Sequence, residues 1–261
     1  KYGNLYLQHI QNVTLWKSQI IGNKKTYSSY GTNYLESSKI LLILHCTFVK
    51  NQNKYGTILR IKSANKMMIV GSKFLKNVVK RGAVIYCLQC RIVFISKCTL
   101  SNNIAIHVTG SINQKKIRPG SLNVINTNYM KIVESKFFDN FAWSGAGISS
   151  FQCKNLFIYK CSFTNNVAKD LKAITNQNQA GNGCLNVINT NKMKVVQSKF
   201  FKNIAKYGAG ITCAQCTDIF IYKCSLRNNV AKFLGGGIHI EENYITVIAE
   251  TKFLTNKAKE G

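Results

Sequence analysis

Apolar and polar positions recur along this chain with a long, nearly constant period. Nine segments combine a small residue, an apolar residue and a closing asparagine: SQIIGN to Asn23, CTFVKN to Asn51, SKFLKN to Asn77, CTLSNN to Asn103 and SKFFDN to Asn140, then CSFTNN to Asn166, SKFFKN to Asn203, CSLRNN to Asn229 and TKFLTN to Asn256. Successive asparagines lie 28, 26, 26, 37, 26, 37, 26 and 27 residues apart, so the unit is about 26 residues with two insertions of 11. FIYKCSFTNNVAK at Phe157–Lys169 returns as FIYKCSLRNNVAK at Phe220–Lys232, 63 residues on, which is two units and one insertion. LNVINTN at Leu122–Asn128 and Leu185–Asn191 repeats at the same spacing. A fixed period of this length marks a repeat architecture.

Within each unit the pattern belongs to strands. Heptads are missing, and the segments are rich in Val, Ile, Phe, Tyr and Thr. In 156–166, Leu156, Ile158, Cys161, Phe163 and Asn166 share one face if the chain bends near Tyr159–Lys160. A further strand follows the glycines, as in GAGITC at Gly208–Cys213. Three short strands per unit without hairpin turns predict an all-β fold: a single-stranded, right-handed parallel β-helix of about nine coils, stacked at about 4.8 Å into a rod roughly 40 Å long. A β-propeller needs about 40 residues per blade and is excluded by the period. The whole of 1–261 reads as one continuous solenoid, with insertion loops near 104–120 and 167–183. The closing NKAKEG falls where another coil is due, so a segment of a longer chain or polymer is expected.

The FxxN tetrapeptides Phe48–Asn51, Phe74–Asn77, Phe137–Asn140, Phe163–Asn166, Phe200–Asn203 and Phe253–Asn256 accompany GAGI at Gly145–Ile148 and Gly208–Ile211 and GGGI at Gly235–Ile238. This combination resembles the FxxN/GGA[ILV] repeat of polymorphic outer-membrane proteins, and similar β-helix repeats occur in large surface proteins of unicellular eukaryotes. GAG stands here where those repeats favour GGA. The resemblance implies a structural or adhesive role at the cell surface or outside the cell, by analogy of fold.

Composition adds charge. Thirty-six basic residues face nine acidic ones, a net +27, so an acidic polysaccharide, a nucleic acid, an anionic membrane or an acidic protein becomes a plausible partner. With 46% hydrophobic residues a sizeable core is available, and no run is long enough to predict a transmembrane helix. Asn12-Val13-Thr14 is a lone glycosylation sequon, compatible with secretion without requiring it.

In a solenoid, chemistry is read down columns of equivalent positions. The asparagines Asn23, Asn51, Asn77, Asn103, Asn140, Asn166, Asn203, Asn229 and Asn256 form one column, expected to be an internal amide ladder. Five residues earlier, Ser18, Cys46, Ser72, Cys98, Ser135, Cys161, Ser198, Cys224 and Thr251 alternate, which leaves the cysteines about 9–10 Å apart by the coil spacing. That is too far for disulfides, so they read as buried small residues. The same holds for Cys90, Cys153 and Cys216, which alternate with Thr127 and Thr190. CLQC at Cys87–Cys90 and CAQC at Cys213–Cys216 lie too far apart to share a zinc ion, leaving free thiols or local Cys87–Cys90 and Cys213–Cys216 disulfides.

One outward lysine per coil, Lys73, Lys97, Lys136, Lys160, Lys199, Lys223 and Lys252, zigzags beside a strand corner. Staggering keeps like charges apart and blunts a β surface; the alternative is a basic stripe that follows a polyanion. The insertions leave one corner two coils apart, one with Lys115, Lys116 and Arg118, the other with Asp170 and Lys172, where binding loops could sit.

Pectin-processing enzymes share the β-helix, and their chemistry needs clustered carboxylates. The acids are Glu36, Glu134, Asp139, Asp170, Asp218, Glu241, Glu242, Glu250 and Glu260, and only Glu241 and Glu242 adjoin. Arg60-Ile61-Lys62 echoes the RIK triplet of polygalacturonases without its paired acids, and His9, His45, His107 and His239 form no ladder. No catalytic, cofactor or metal site and no small-molecule substrate are expected. The reading is a non-enzymatic structural or adhesive rod, extracellular or at the cell surface, self-associating end to end or continuing into a longer chain. A polyanion-binding module is the alternative.

Overall fold

The computed structural model describes residues 5–25, 32–36, 38–54, 56–80, 82–105, 120–169 and 181–260. All regular structure among them is β, in three parallel sheets that run the length of a solenoid. Most coils contribute four strand segments rather than the three expected: in one coil these are Ile85–Leu88, Ile92–Ser96, Thr99–Ser101 and Ile104–Ala105. The fourth is only two residues long, too short to leave an alternation in the sequence.

The first two segments of each coil belong to one 16-stranded sheet. In most coils a corner separates them, but Leu122–Val133 and Ile148–Tyr159 run through it as continuous strands and join both families. The third segments make a nine-stranded sheet and the fourth another. Register is in step from coil to coil, so Phe48 pairs with Phe74, Phe137 with Phe163 and Phe163 with Phe200.

Corners are set by the left-handed backbone. Three recur per coil, as at Gln152 (φ 54°), Lys160 (φ 50°) and Asn165 (φ 53°). The bend expected near Tyr159–Lys160 is therefore a single left-handed residue, which reverses the facing of the side chains and lets Ile158, Cys161, Phe163 and Asn166 all be buried. Left-handed conformations disfavour most L-residues, and here the interlocked coils on either side hold them in place. The GAG motif has a separate reason. Gly145 sits at φ +56°, while a Cβ on Gly147 would come within 3.0 Å of the Phe163 ring and of the Cys184 sulfur.

The core is a continuous apolar column. Phe48, Phe74, Phe137, Phe163 and Phe200 are fully buried. Their rings stack face to face, with centroids 4.5 Å apart for Phe48–Phe74, 4.9 Å for Phe137–Phe163 and 4.7 Å for Phe163–Phe200. Leu100 and Leu226 replace the ring in two coils and are equally buried. Beyond the strands of the fourth family, Ile104–Ala105 and Val167–Ala168, the insertions begin, so Lys115, Lys116, Arg118, Asp170, Lys172 and His107 lie outside the described residues. No helix among the described residues is long and apolar enough to cross a membrane.

Candidate functional site

The asparagine column forms a hydrogen-bonded spine. Each Oδ1 accepts both the backbone N–H and the side-chain Nδ2 of the asparagine one coil earlier, from Asn23 to Asn51 (3.1 and 3.0 Å) through to Asn229 and Asn256 (3.0 and 2.9 Å). The second proton of each amide goes to a backbone carbonyl of the preceding coil, as Asn77 to Phe48 (2.9 Å) and Asn203 to Phe163 (3.0 Å). Asparagine is suited because one side chain must supply two donors and an acceptor to three partners at once.

A second ladder runs through the serine–cysteine column. The Ser135 hydroxyl accepts the Cys98 N–H (3.1 Å) and donates to the Val133 carbonyl (2.9 Å). Cys98 in turn points its thiol at the Ser96 and Ile69 carbonyls, at 3.2 and 3.4 Å. Alternate coils thus use hydroxyl and thiol for the same task. Burial pushes the Cys98 thiol up to about 11 and Cys161 up to about 12. The Cys153 thiol, in the neighbouring column, is held at about 11 for the same reason. Such thiols stay protonated and are poor nucleophiles.

Both CxxC pairs close locally. Cys87 is bonded to Cys90 and Cys213 to Cys216, with Cα atoms 6.4 and 6.7 Å apart. The left-handed Gln89 and Gln215 between them turn the chain so that both sulfurs face the interior. Of the alternatives left open by the spacing, the structure has the disulfides. Among the described residues no cluster of His, Cys, Asp and Glu could hold a metal ion.

All seven lysines of the zigzag are exposed. They occupy two structural columns. Lys97, Lys160 and Lys223 sit at left-handed corners, while Lys73, Lys136, Lys199 and Lys252 open strands of the second sheet. The corner column also carries Glu134, Gln197 and Glu250 on the intervening coils. Glu250 lies 3.4 Å from Lys223 and accepts from the Tyr222 hydroxyl at 2.8 Å. Tyr222 and then Glu250 push the Lys223 ammonium above the usual lysine value. The zigzag taken alone is therefore partly neutralised along its corner edge.

The RIK triplet is engaged in side-chain packing. The Arg60 guanidinium lies 5.9 Å from the Tyr34 ring and 5.3 Å from the Tyr86 ring, and Lys62 pairs with Glu36 at 2.5 Å. Hydrogen bonds from Lys62 and Tyr34 hold the Glu36 carboxyl below its ordinary value. Glu241 and Glu242 face different partners, Glu241 beside His239 at 3.4 Å and Glu242 accepting from Gln215 at 2.8 Å.

One surface escaped the sequence reading. The strands Ile92–Ser96, Leu122–Val133, Ile148–Tyr159, Lys192–Val196 and Asp218–Tyr222 turn every second residue outward. The register places Phe94, Lys131, Phe157, Lys194 and Phe220 in one outward row. The Lys131 ammonium stands 5.5 Å from the Phe157 ring and that of Lys194 stands 6.0 Å from the Phe220 ring. The signal is legible nine residues before each asparagine from Asn103 to Asn229, but aromatic residues in a strand are ordinarily assigned to the core.

Comparison with known proteins adds one relative. The chain is 23% identical over 234 residues to the metabotropic glutamate receptor-like protein R of Dictyostelium discoideum, a match covering 87% of this chain and 13% of that protein. No protein-family model matches the chain, and no solved structure matches it.

Proposed function

We propose that the chain is a non-enzymatic structural segment of a cell-surface or extracellular assembly, a stretch of β-rod covered at its edges by further β-structure from the same polypeptide or from another copy. The observation that carries this reading is the stacking itself: a continuous amide spine and three in-step parallel sheets give each described coil the same template for the next. The relative whose name marks it as receptor-like supports a surface setting, and the chain spans 13% of that relative's length.

Structural use also suits the chemistry on hand: internal thiols kept protonated, local disulfides, and acids dispersed among lysines. An adhesive role would be carried by the outer faces and the insertions. The test is negative-stain microscopy of native material with analytical ultracentrifugation of the isolated chain. Rods longer than the roughly 40 Å of nine coils are expected. Short particles in the native material, with a monodisperse monomer at high concentration, would overturn the reading.

A further inference from the structure

We infer that the outward face carrying Phe94, Lys131, Phe157, Lys194 and Phe220 binds an extended acidic polysaccharide whose charge recurs once per disaccharide. This goes beyond the rod function and stands whether or not the rod grows.

The inference rests on a two-coil periodicity written on the surface. Down the outward row, rings and ammonium groups alternate strictly over five successive coils. Like elements are therefore about 10 Å apart, twice the inter-strand spacing. That distance is close to the length of one disaccharide, about 10 Å, in an extended β-linked polysaccharide. Two residues further along the strand, two of the three ring-bearing coils present a second aromatic ring, Tyr159 at 6.0 Å from Phe157 and Tyr222 at 5.7 Å from Phe220, while Ser96 follows Phe94. The lysine-bearing coils place Val133 and Val196 there instead. From Lys131 to Tyr222, each pair of coils thus offers one ring pair and one lysine in the row, and Lys160 and Lys223 stand over the second rings, 5.1 Å from Tyr159 and 4.9 Å from Tyr222.

Sugars bind such surfaces through two kinds of group. Their C–H faces pack on aromatic side chains, and their carboxylates or sulfates pair with ammonium groups. Phe157, Tyr159, Phe220 and Tyr222 are half-buried, so each keeps surface to offer while its ring is held by its neighbours. Lys131 and Lys194 are aimed rather than loose, since each ammonium is drawn over the ring of the following coil. Lys136 and Lys199, in the adjoining sheet, add a second positive charge to the lysine-bearing coils. The acids near this face are Glu134, one corner from Lys131, Glu250, which accepts from the Tyr222 hydroxyl and pairs with Lys223, and Asp218, paired in register with Lys192. None lies in the ring–lysine row. A single nucleic-acid strand carries a phosphate at every residue, so its charge would fall opposite the rings as well as the lysines. A chain charged at alternate sugars matches the row in both respects.

The probe is size-defined hyaluronan, which bears one carboxylate per disaccharide, immobilised and compared with oligothymidylate and with a neutral β-1,4-glucan oligomer of equal length. Binding of hyaluronan at physiological ionic strength, above both comparators, is expected. Lys131→Gln with Lys194→Gln should weaken it roughly tenfold, the weight of two charge pairs. Phe157→Ala with Phe220→Ala should weaken it comparably while leaving thermal unfolding close to wild type, because these rings are outside the core. Lys73→Gln with Lys252→Gln, which remove the same charge outside the row, should change it little. Absence of hyaluronan binding, equal or tighter binding of oligothymidylate, or equal losses from both lysine pairs would each overturn the proposal.

Discussion

Asn166 donates its backbone N–H and its side-chain Nδ2 to the one Oδ1 of Asn203, at 3.0 and 3.1 Å, across 37 residues of chain. The same Asn166 accepts both donors of Asn140 at 3.2 and 2.9 Å and donates to the Phe137 carbonyl at 2.8 Å. Replacing it by alanine strands several buried polar groups, each costing about 1–3 kcal/mol. Asn166→Ala should therefore lower the urea midpoint by more than Asn256→Ala, since Asn256 lies in the half-exposed last coil. Midpoints unchanged from wild type in both variants would mean that the spine contributes nothing to stability.

The phenylalanine stack makes a graded prediction. Phe163 lies between Phe137 and Phe200 and is fully buried. Phe163→Ala should cost about 3–5 kcal/mol through lost burial and the cavity left behind. Phe163→Leu should cost under about 1.5 kcal/mol, because Leu100 and Leu226 already fill this position in their own coils. Denaturant unfolding of the two variants distinguishes these magnitudes.

Disulfide formation at the CxxC corner should be transferable. Ser150 and Cys153 stand in the register positions of Cys87–Cys90 and Cys213–Cys216, with Gln152 in the same left-handed conformation as Gln89 and Gln215. Ser150→Cys should therefore form a third local bond with Cys153. Alkylation under denaturing conditions followed by mass spectrometry should count one fewer free thiol than in the wild type. The loop closed is so short that the midpoint should move little.

Alkaline pH should destabilise the fold through its buried thiols. Burial holds Cys98 and Cys153 at about 11 and Cys161 at about 12, against an ordinary 9.0. Raised values mean that the native state keeps protons which the unfolded chain releases. The stabilisation is fully present below about pH 9 and is lost as pH rises through about 11–12. Tyr86, also raised by burial, adds a change of the same sign. Thermal unfolding measured at increasing pH should show this decline. Cys98→Ser, Cys161→Ser and Cys153→Thr, each copying the residue used one coil away, should flatten it without removing it.

How much of this was legible depended on the physics involved. The asparagine, phenylalanine and serine–cysteine columns followed from spacing, because stacking identical coils forces equivalent residues into contact whatever the shape of the coil. The bend beside Lys160 was also visible, as a break in the inward alternation between Ile158 and Cys161. The two-residue strands of the third sheet were not, since such a length leaves no period to detect.

The sequence by itself determined the period, the parallel stacking and the membership of each column. Tertiary structure decided what happens within a coil and on its outside. It determined that the sulfurs of Cys87 and Cys90 meet, that Lys223 is answered by Glu250, and that Phe157 faces outward beneath Lys131. Those outcomes depend on corner angles fixed by left-handed residues of many types, from lysine to glutamine to asparagine. Residue identity does not announce such a corner; the interlocked coils on either side impose it.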